Sequence, residues 1–156
     1  MEFDALVVRK AAPGDIAAIA QIQAASPESA HWSPESYLEY DCWVALTGTE
    51  IVGFLVTRLV GPEEREILNL AVSPSYRRRG VARRLLVEEL DRSRGTCFLE
   101  VRESNSAAAN LYKQLGFAPV GRREKYYQDP PEAAIVMSIV SCYCHGAQSA
   151  VGDRHV

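Results

Sequence analysis

A strand, a basic turn and a helix in direct succession limit the folds open to this chain more than any other feature. Ile67-Leu68-Asn69-Leu70-Ala71-Val72 is an apolar run of strand length, and Ser73-Pro74-Ser75-Tyr76 breaks it. Arg77-Arg78-Arg79-Gly80-Val81-Ala82 follows directly. Val81, Leu85, Leu86 and Leu90 then recur at helical spacing, with Arg83, Arg84, Glu88, Glu89 and Asp91 on the other faces. A basic turn that feeds a helix start is suited to anions. The first N–H groups of the helix lack intrahelical partners, its dipole favours negative charge, and Gly80 lets a phosphate approach the main chain. The alternative is a solvated basic turn before an ordinary surface helix.

The rest of the chain predicts strands at Leu6–Arg9, Cys42–Leu46 and Ile51–Leu59, the last two forming a hairpin around Thr47-Gly48-Thr49-Glu50. Asp15 is placed to cap a first helix that carries Ile16, Ile19, Ala20 and Ile22. Ser33 and Pro34 are placed to open a short helix over residues 36–40. Downstream, Thr96–Val101 reads as a strand, residues 107–115 as a helix with Gly116 as its left-handed cap, residues 117–120 as the start of a strand, and Ala133–Val140 as the last strand. The order is α+β, an antiparallel meander followed by strand–helix–strand–helix–strand. Residues 1–140 form one domain in this reading, and 141–156 a small, polar tail.

Net charge is −3, with one basic cluster, which suits a small polyanion and argues against long nucleic acid. No stretch approaches the ~20 apolar residues that a membrane-spanning helix needs. Met1-Glu2-Phe3-Asp4 lacks the features of a signal peptide, so a cytoplasmic protein with reduced cysteines is expected. Cys142-Tyr143-Cys144-His145 lacks the second ligand pair of a structural zinc site, and no metal is expected.

Two further residues could carry chemistry. Glu100 interrupts the apolar run Phe98-Leu99-Glu100-Val101. It lies either on a half-exposed strand face or on a cavity wall, where desolvation would tune it as a base. Tyr112 lies on the following helix, either as a core aromatic with its hydroxyl at the rim or as a proton donor. Asn105, at the helix start, is open to both readings in the same way, since as an N-cap it needs no functional explanation.

Taken together, these segments resemble the GCN5-related N-acetyltransferase (GNAT) superfamily. Arg77-Arg78-Arg79-Gly80-Val81-Ala82 is similar to its Q/R-x-x-G-x-G/A signature. Leu99-Glu100-Val101-Arg102, Asn105, Ala107-Ala108, Leu111-Tyr112 and Leu115-Gly116-Phe117, in that order, resemble the bacterial RimI group of ribosomal-protein-alanine N-acetyltransferases. So do Arg123-Glu124-Lys125-Tyr126-Tyr127 and residues 132–137.

The resemblance implies a GNAT fold: a central, mixed, mostly antiparallel twisted sheet, splayed between the fourth and fifth strands and flanked by helices. It implies acetyl-CoA as co-substrate, with its pantetheine arm along Leu70-Ala71-Val72, its pyrophosphate on the N–H groups of Arg77, Arg78, Arg79, Gly80, Val81 and Ala82, and Asn105 on the opposite side. Glu100 would be the general base, Tyr112 the general acid, and a backbone N–H near Leu70 the oxyanion donor. The implied acceptor is a protein N-terminus, a ribosomal protein's in that group, attacked directly rather than through Cys97. Trp32, Tyr126 and Tyr127 would shape the peptide groove. The sequence departs from the group at His31-Trp32-Ser33 and at Ala133, both near the expected acceptor site. A small-molecule amine or a lysine side chain as acceptor, and a non-catalytic CoA-binding module, remain open alternatives.

Overall fold

The computed structural model describes residues 5–26, 32–128 and 130–141; the tail over 142–156, Cys142-Tyr143-Cys144-His145 and His31 lie outside them. Strand β1 (Leu6–Lys10) leads through a single 3₁₀ turn (Pro13–Asp15) into α1 (Ile16–Ala24). A second 3₁₀ segment (Pro34–Glu39) precedes the meander β2 (Asp41–Thr47), β3 (Glu50–Gly61) and β4 (Glu64–Val72). Then come α2 (Val81–Arg92), β5 (Gly95–Arg102), α3 (Ser106–Gln114), β6 (Ala118–Gln128) and β7 (Pro131–Ser141).

The seven strands of the described residues make one sheet in the order β1-β2-β3-β4-β5-β7-β6. Among the described residues only β4 and β5 run parallel, and they pair solely at Glu64–Thr96, Arg65–Cys97 and Glu66–Phe98. Residues 67–72 and 99–102 therefore stand apart, and the sheet is splayed between its fourth and fifth strands as expected.

Alternation along the strands feeds two cores. One face packs Val44, Phe54, Val56 and Ala71 against Ile19, Ile22 and Tyr37. The other packs Leu55, Leu99, Val101 and Met137 against Val81, Leu85, Leu86 and Leu90 of α2 and against Tyr112 and Phe117. Each fully buried side chain of this size contributes about 1.5–3 kcal/mol. The register of β4 on β3 passes from Thr57–Ile67 to Val56–Asn69, so Leu68 is a bulged extra residue. As a result Leu68 and Asn69 both turn to the α1 face, while Ile67 and Leu70 pack on the α2 face.

Some local expectations need correction. Asp15 does precede α1, but its carboxylate turns back to Arg9 (2.7 Å) and to the Ala12 N–H (2.7 Å) instead of capping α1. Ser33 makes no side-chain cap, and the segment it precedes is 3₁₀. Glu89, read as a solvent-face residue, is only 2% exposed. It receives Arg65 from β4 (2.8 Å) and Arg92 (3.2 Å), a buried charge cluster that ties α2 to the closed end of the β4–β5 pair. Burial pushes its carboxyl up, against the pull of those two guanidinium groups.

Candidate active site

The basic turn has a geometry that suits an anion. Arg78 (φ 61°) and Gly80 (φ 84°) both adopt left-handed backbone, and Gly80 is the N-cap of α2. Among the described residues, the N–H groups of Gly80, Val81 and Ala82 have no acceptor. A β-carbon at Gly80 would meet nothing within 4 Å, so the space above the turn is open. These donors fit a pyrophosphate. The arginine side chains divide their roles. Arg77 folds back onto the Val72 carbonyl (3.3 Å) and Ser26 (3.2 Å), so it ties the turn to the end of α1. Arg79 lies over the Tyr76 ring at 5.5 Å.

Leu70, Ala71 and Val72 pair with Leu55, Phe54 and Gly53 on one edge and face the opening on the other. The bulge before them is held by a buried polar group that sequence reading missed. Asn69 donates to Gln23 (3.1 Å) and to the Tyr37 hydroxyl (3.0 Å), and Tyr37 in turn donates to Gln23. Gln23 also donates to the Trp32 carbonyl at 2.7 Å. The Leu70 N–H, nearest to the expected oxyanion position, donates to Asn69 Oδ1 at 2.9 Å. That donor is thus already engaged, and the network runs from the exposed Trp32 to β4. The signal for it was a lone Asn inside an apolar strand.

Across the opening, Leu99 and Val101 enter the α2 core, which turns Glu100 to the opposite face of the sheet. Its carboxylate is 11% exposed and accepts an ion pair from Arg123 at 2.5 Å. Sequence reading did not foresee this partner. It comes from a wide bulge in β6: Arg123 pairs with Ala134 and Tyr127 with Glu132, leaving residues 124–126 opposite a single residue. The bulge also brings Tyr126 in, 5.1 Å from Tyr127 and beneath the Arg123 guanidinium at 4.3 Å. Burial, with the neighbouring Glu100 charge, raises the Tyr126 phenol above its ordinary range. Tyr127 donates to the Glu100 carbonyl at 3.4 Å.

Tyr112 is buried on the α2 side of the opening, and its hydroxyl makes no hydrogen bond among the described residues. Burial drives its phenol up, so it holds its proton throughout the neutral range. Its position is fixed by the end of α3. Gly116 (φ 108°) donates to the Lys113 carbonyl (3.0 Å) and Phe117 to the Tyr112 carbonyl (3.0 Å), which stacks Phe117 edge-on against Tyr112 at 5.7 Å. Asn105 is the N-cap of α3, its Oδ1 accepting from Ala108 N at 3.2 Å. Cys97 is buried, and that burial pushes its thiol up to about 12. This leaves it a poor nucleophile.

A sheet opened between two parallel strands, with the anion turn on one and a carboxylate on the other, defines the GNAT fold. Residues 15–117 match the model of the acetyltransferase (GNAT) family, and the chain belongs to that family. It is 43% identical over 88 residues to the N-alpha-acetyltransferase RimI of Mycobacterium tuberculosis, covering 54% of this chain and 56% of that protein. It is 41% identical over 96 residues to the [ribosomal protein bS18]-alanine N-acetyltransferase of Escherichia coli K12, covering 58% and 64%. The crystal structure of the ribosomal-protein-S18-alanine N-acetyltransferase from Escherichia coli superposes with a TM-score of 0.77 at 29% identity, over 88% of this chain and 95% of that one. The matches span less than two thirds of the length of these curated relatives. Among the described residues no helix is long and apolar enough to cross a membrane, and no His, Cys, Asp and Glu side chains gather as a metal site.

Proposed function

We propose that this protein transfers acetyl from acetyl-CoA to the α-amino group of a protein N-terminus, an alanine of a ribosomal protein being the foremost candidate. The observation that carries this reading is that, beside the β4–β5 opening, Glu100 leaves the α2-side core that Leu99 and Val101 enter, whereas Tyr112 is buried within it. Acetyl-CoA supplies the activated thioester. Gly80, Val81 and Ala82 offer N–H groups to its pyrophosphate, residues 70–72 offer its pantetheine arm an edge that β5 does not pair, and Asn105 approaches from the β5 side.

An amine attacks only when neutral, and an α-amino group (pKa ~7.7–8.0) loses its proton far more readily than a lysine (~10.4). Glu100 removes that proton, through a water. The nitrogen lone pair forms the new bond to the acetyl carbon, and the carbon–sulfur bond breaks. Tyr112 gives its proton to the departing sulfur, the extra proton on the nitrogen passes to water to leave the amide, and Tyr112 takes its proton back from solvent. The high pKa of the Cys97 thiol supports direct attack over a covalent acetyl-enzyme. Trp32, Tyr126 and Tyr127 line the acceptor side. The names of the matched relatives support a protein N-terminus as acceptor, and we place the reaction in the cytoplasm.

The test is a set of initial rates with acetyl-CoA on a peptide with a free N-terminal alanine, the same peptide with a blocked N-terminus and one internal lysine, and a panel of small amines. Preference for the free N-terminus is expected. Preference for lysine or a small amine would keep the acetyl transfer and sink the N-terminal acceptor. No release of CoA with any amine would leave a binding module.

A further inference from the structure

Glu100 does not meet the solvent as a free carboxylate. The Arg123 guanidinium lies on Glu100 Oε2, on the face where the proposed acceptor amine would have to arrive. We infer that Arg123 is a built-in occupant of the amine site, a cation that the incoming N-terminal ammonium must displace; this rests on the N-terminal acetyltransferase reading.

The geometry supplies the reasons. Arg123 and Tyr126, three residues apart, would face opposite sides of a regular strand, and only the bulge over residues 124–126 brings both to Glu100. The two partners differ in freedom. The Glu100 side chain is 11% exposed and fixed on the strand, whereas Arg123 is 56% exposed. Its guanidinium can leave the carboxylate while staying stacked on the Tyr126 ring, a contact at 4.3 Å that does not depend on Glu100. Neighbouring cations are committed elsewhere: Arg58 pairs with Glu66 (2.9 Å), Arg122 with Glu103 (2.9 Å) and Arg102 with Glu132 (3.2 Å). Arg123 is therefore the cation set against Glu100.

Arg123 already holds Glu100 Oε2, so an ammonium that takes up this oxygen does so in the arginine's place. The consequence is selectivity. An acceptor must arrive as a slim ammonium able to take the place of a guanidinium, and a neutral or hindered amine gains nothing by displacing it. Arg123 thereby sets the acceptor KM, while acetyl-CoA, held by β4 and α2, is bound independently of it.

The test uses wild type, Arg123→Ala and Arg123→Lys with the N-terminal alanine peptide. Arg123→Ala should lower the acceptor KM about two- to fivefold, the range set by an ion pair with one exposed partner. The acetyl-CoA KM should not move, and Arg123→Lys should return the acceptor KM toward wild type. Methylguanidinium should compete with the peptide in Arg123→Ala by refilling the vacated place, and not in wild type. An acceptor KM that is unchanged or raised in Arg123→Ala, with wild type active on the peptide, overturns the displacement alone. A wild-type protein that transfers nothing to any α-amine overturns the functional reading and this inference with it.

Discussion

A β-carbon added to Gly53 would stand 2.8 Å from Cγ1 of Val81 and 3.2 Å from the Ala71 carbonyl oxygen. The first residue of α2 thus rests directly on β3, and this contact positions the free N–H groups beside the end of β4. Gly53→Ala should cost about 1–3 kcal/mol as an overpacked contact. It should also weaken acetyl-CoA binding by shifting the start of α2. Thermal melts with calorimetric titration would check both, and an unchanged affinity would show that α2 can give without moving its N-terminus.

Gly80→Glu should abolish acetyl-CoA binding, because it sets a carboxylate against the pyrophosphate and strains a φ of 84°. Gly80→Asn separates the two causes, since Asn tolerates left-handed backbone and adds no charge. It should fold normally and retain most of the affinity in the same titration.

Tyr112→Phe keeps the edge-on contact with Phe117 and deletes a buried hydroxyl that has no partner among the described residues. Stability should hold or rise slightly, because no hydrogen bond is lost. Turnover should fall ~10²–10⁴-fold, the usual contribution of a general acid. Wild-type turnover would return Tyr112 to a purely structural place in the core.

Glu100→Gln should keep acetyl-CoA affinity and lose turnover, most severely below the pKa of the acceptor amine. Raising the pH should recover part of the rate, because more amine is then neutral without a base. Initial rates across pH ~6–9, a window that brackets the α-amine pKa, would show it. A variant as fast as wild type at the low end would remove Glu100 as base.

The Arg9 guanidinium holds the Asp15 carboxyl below its usual range. A carboxylate whose pKa is lower in the folded state stabilises the fold above its unfolded value, near 3.8, and that stability is lost as pH falls through the folded value. Asp15→Ala should therefore cost about 1–3 kcal/mol at pH 7, where a charge-assisted hydrogen bond and a backbone donor are both abandoned. The gap between variant and wild type should narrow when the pH is taken below the unfolded value near 3.8. Chemical denaturation at both pH values would measure it.

Much of this architecture is written in local patterns. The apolar run ending at Val72, the helical spacing from Val81 and Gly116 place β4, α2 and one left-handed cap without any tertiary information, whereas the left-handed backbone at Gly80 shows only in the folded chain. Motif order singled out Glu100 and Tyr112, and alternation in β5 explains why Glu100 leaves the core that Leu99 and Val101 enter. The Arg123 contact was hidden because it depends on three residues slipping out of register in β6, which no periodicity reports. Glu89 was misplaced for a related reason. A carboxylate on a helix reads as solvent-facing until a guanidinium from a strand 24 residues away is found beneath it. The Asn69 network joins α1, a 3₁₀ segment and β4, three elements whose proximity only the folded chain creates.

The three residue pairs that join β4 to β5 have a consequence for the economy of the folded state. Beyond them the sheet carries two interior edges, each with backbone groups left to water in the middle of an otherwise continuous ladder. A ligand that lays its amides along such an edge acts as a missing strand, and binding it only in the folded state adds to stability by mass action, about 2.7 kcal/mol at a hundredfold excess over Kd. The supply of co-substrate would then govern how long the protein survives heat and proteolysis as well as how fast it works.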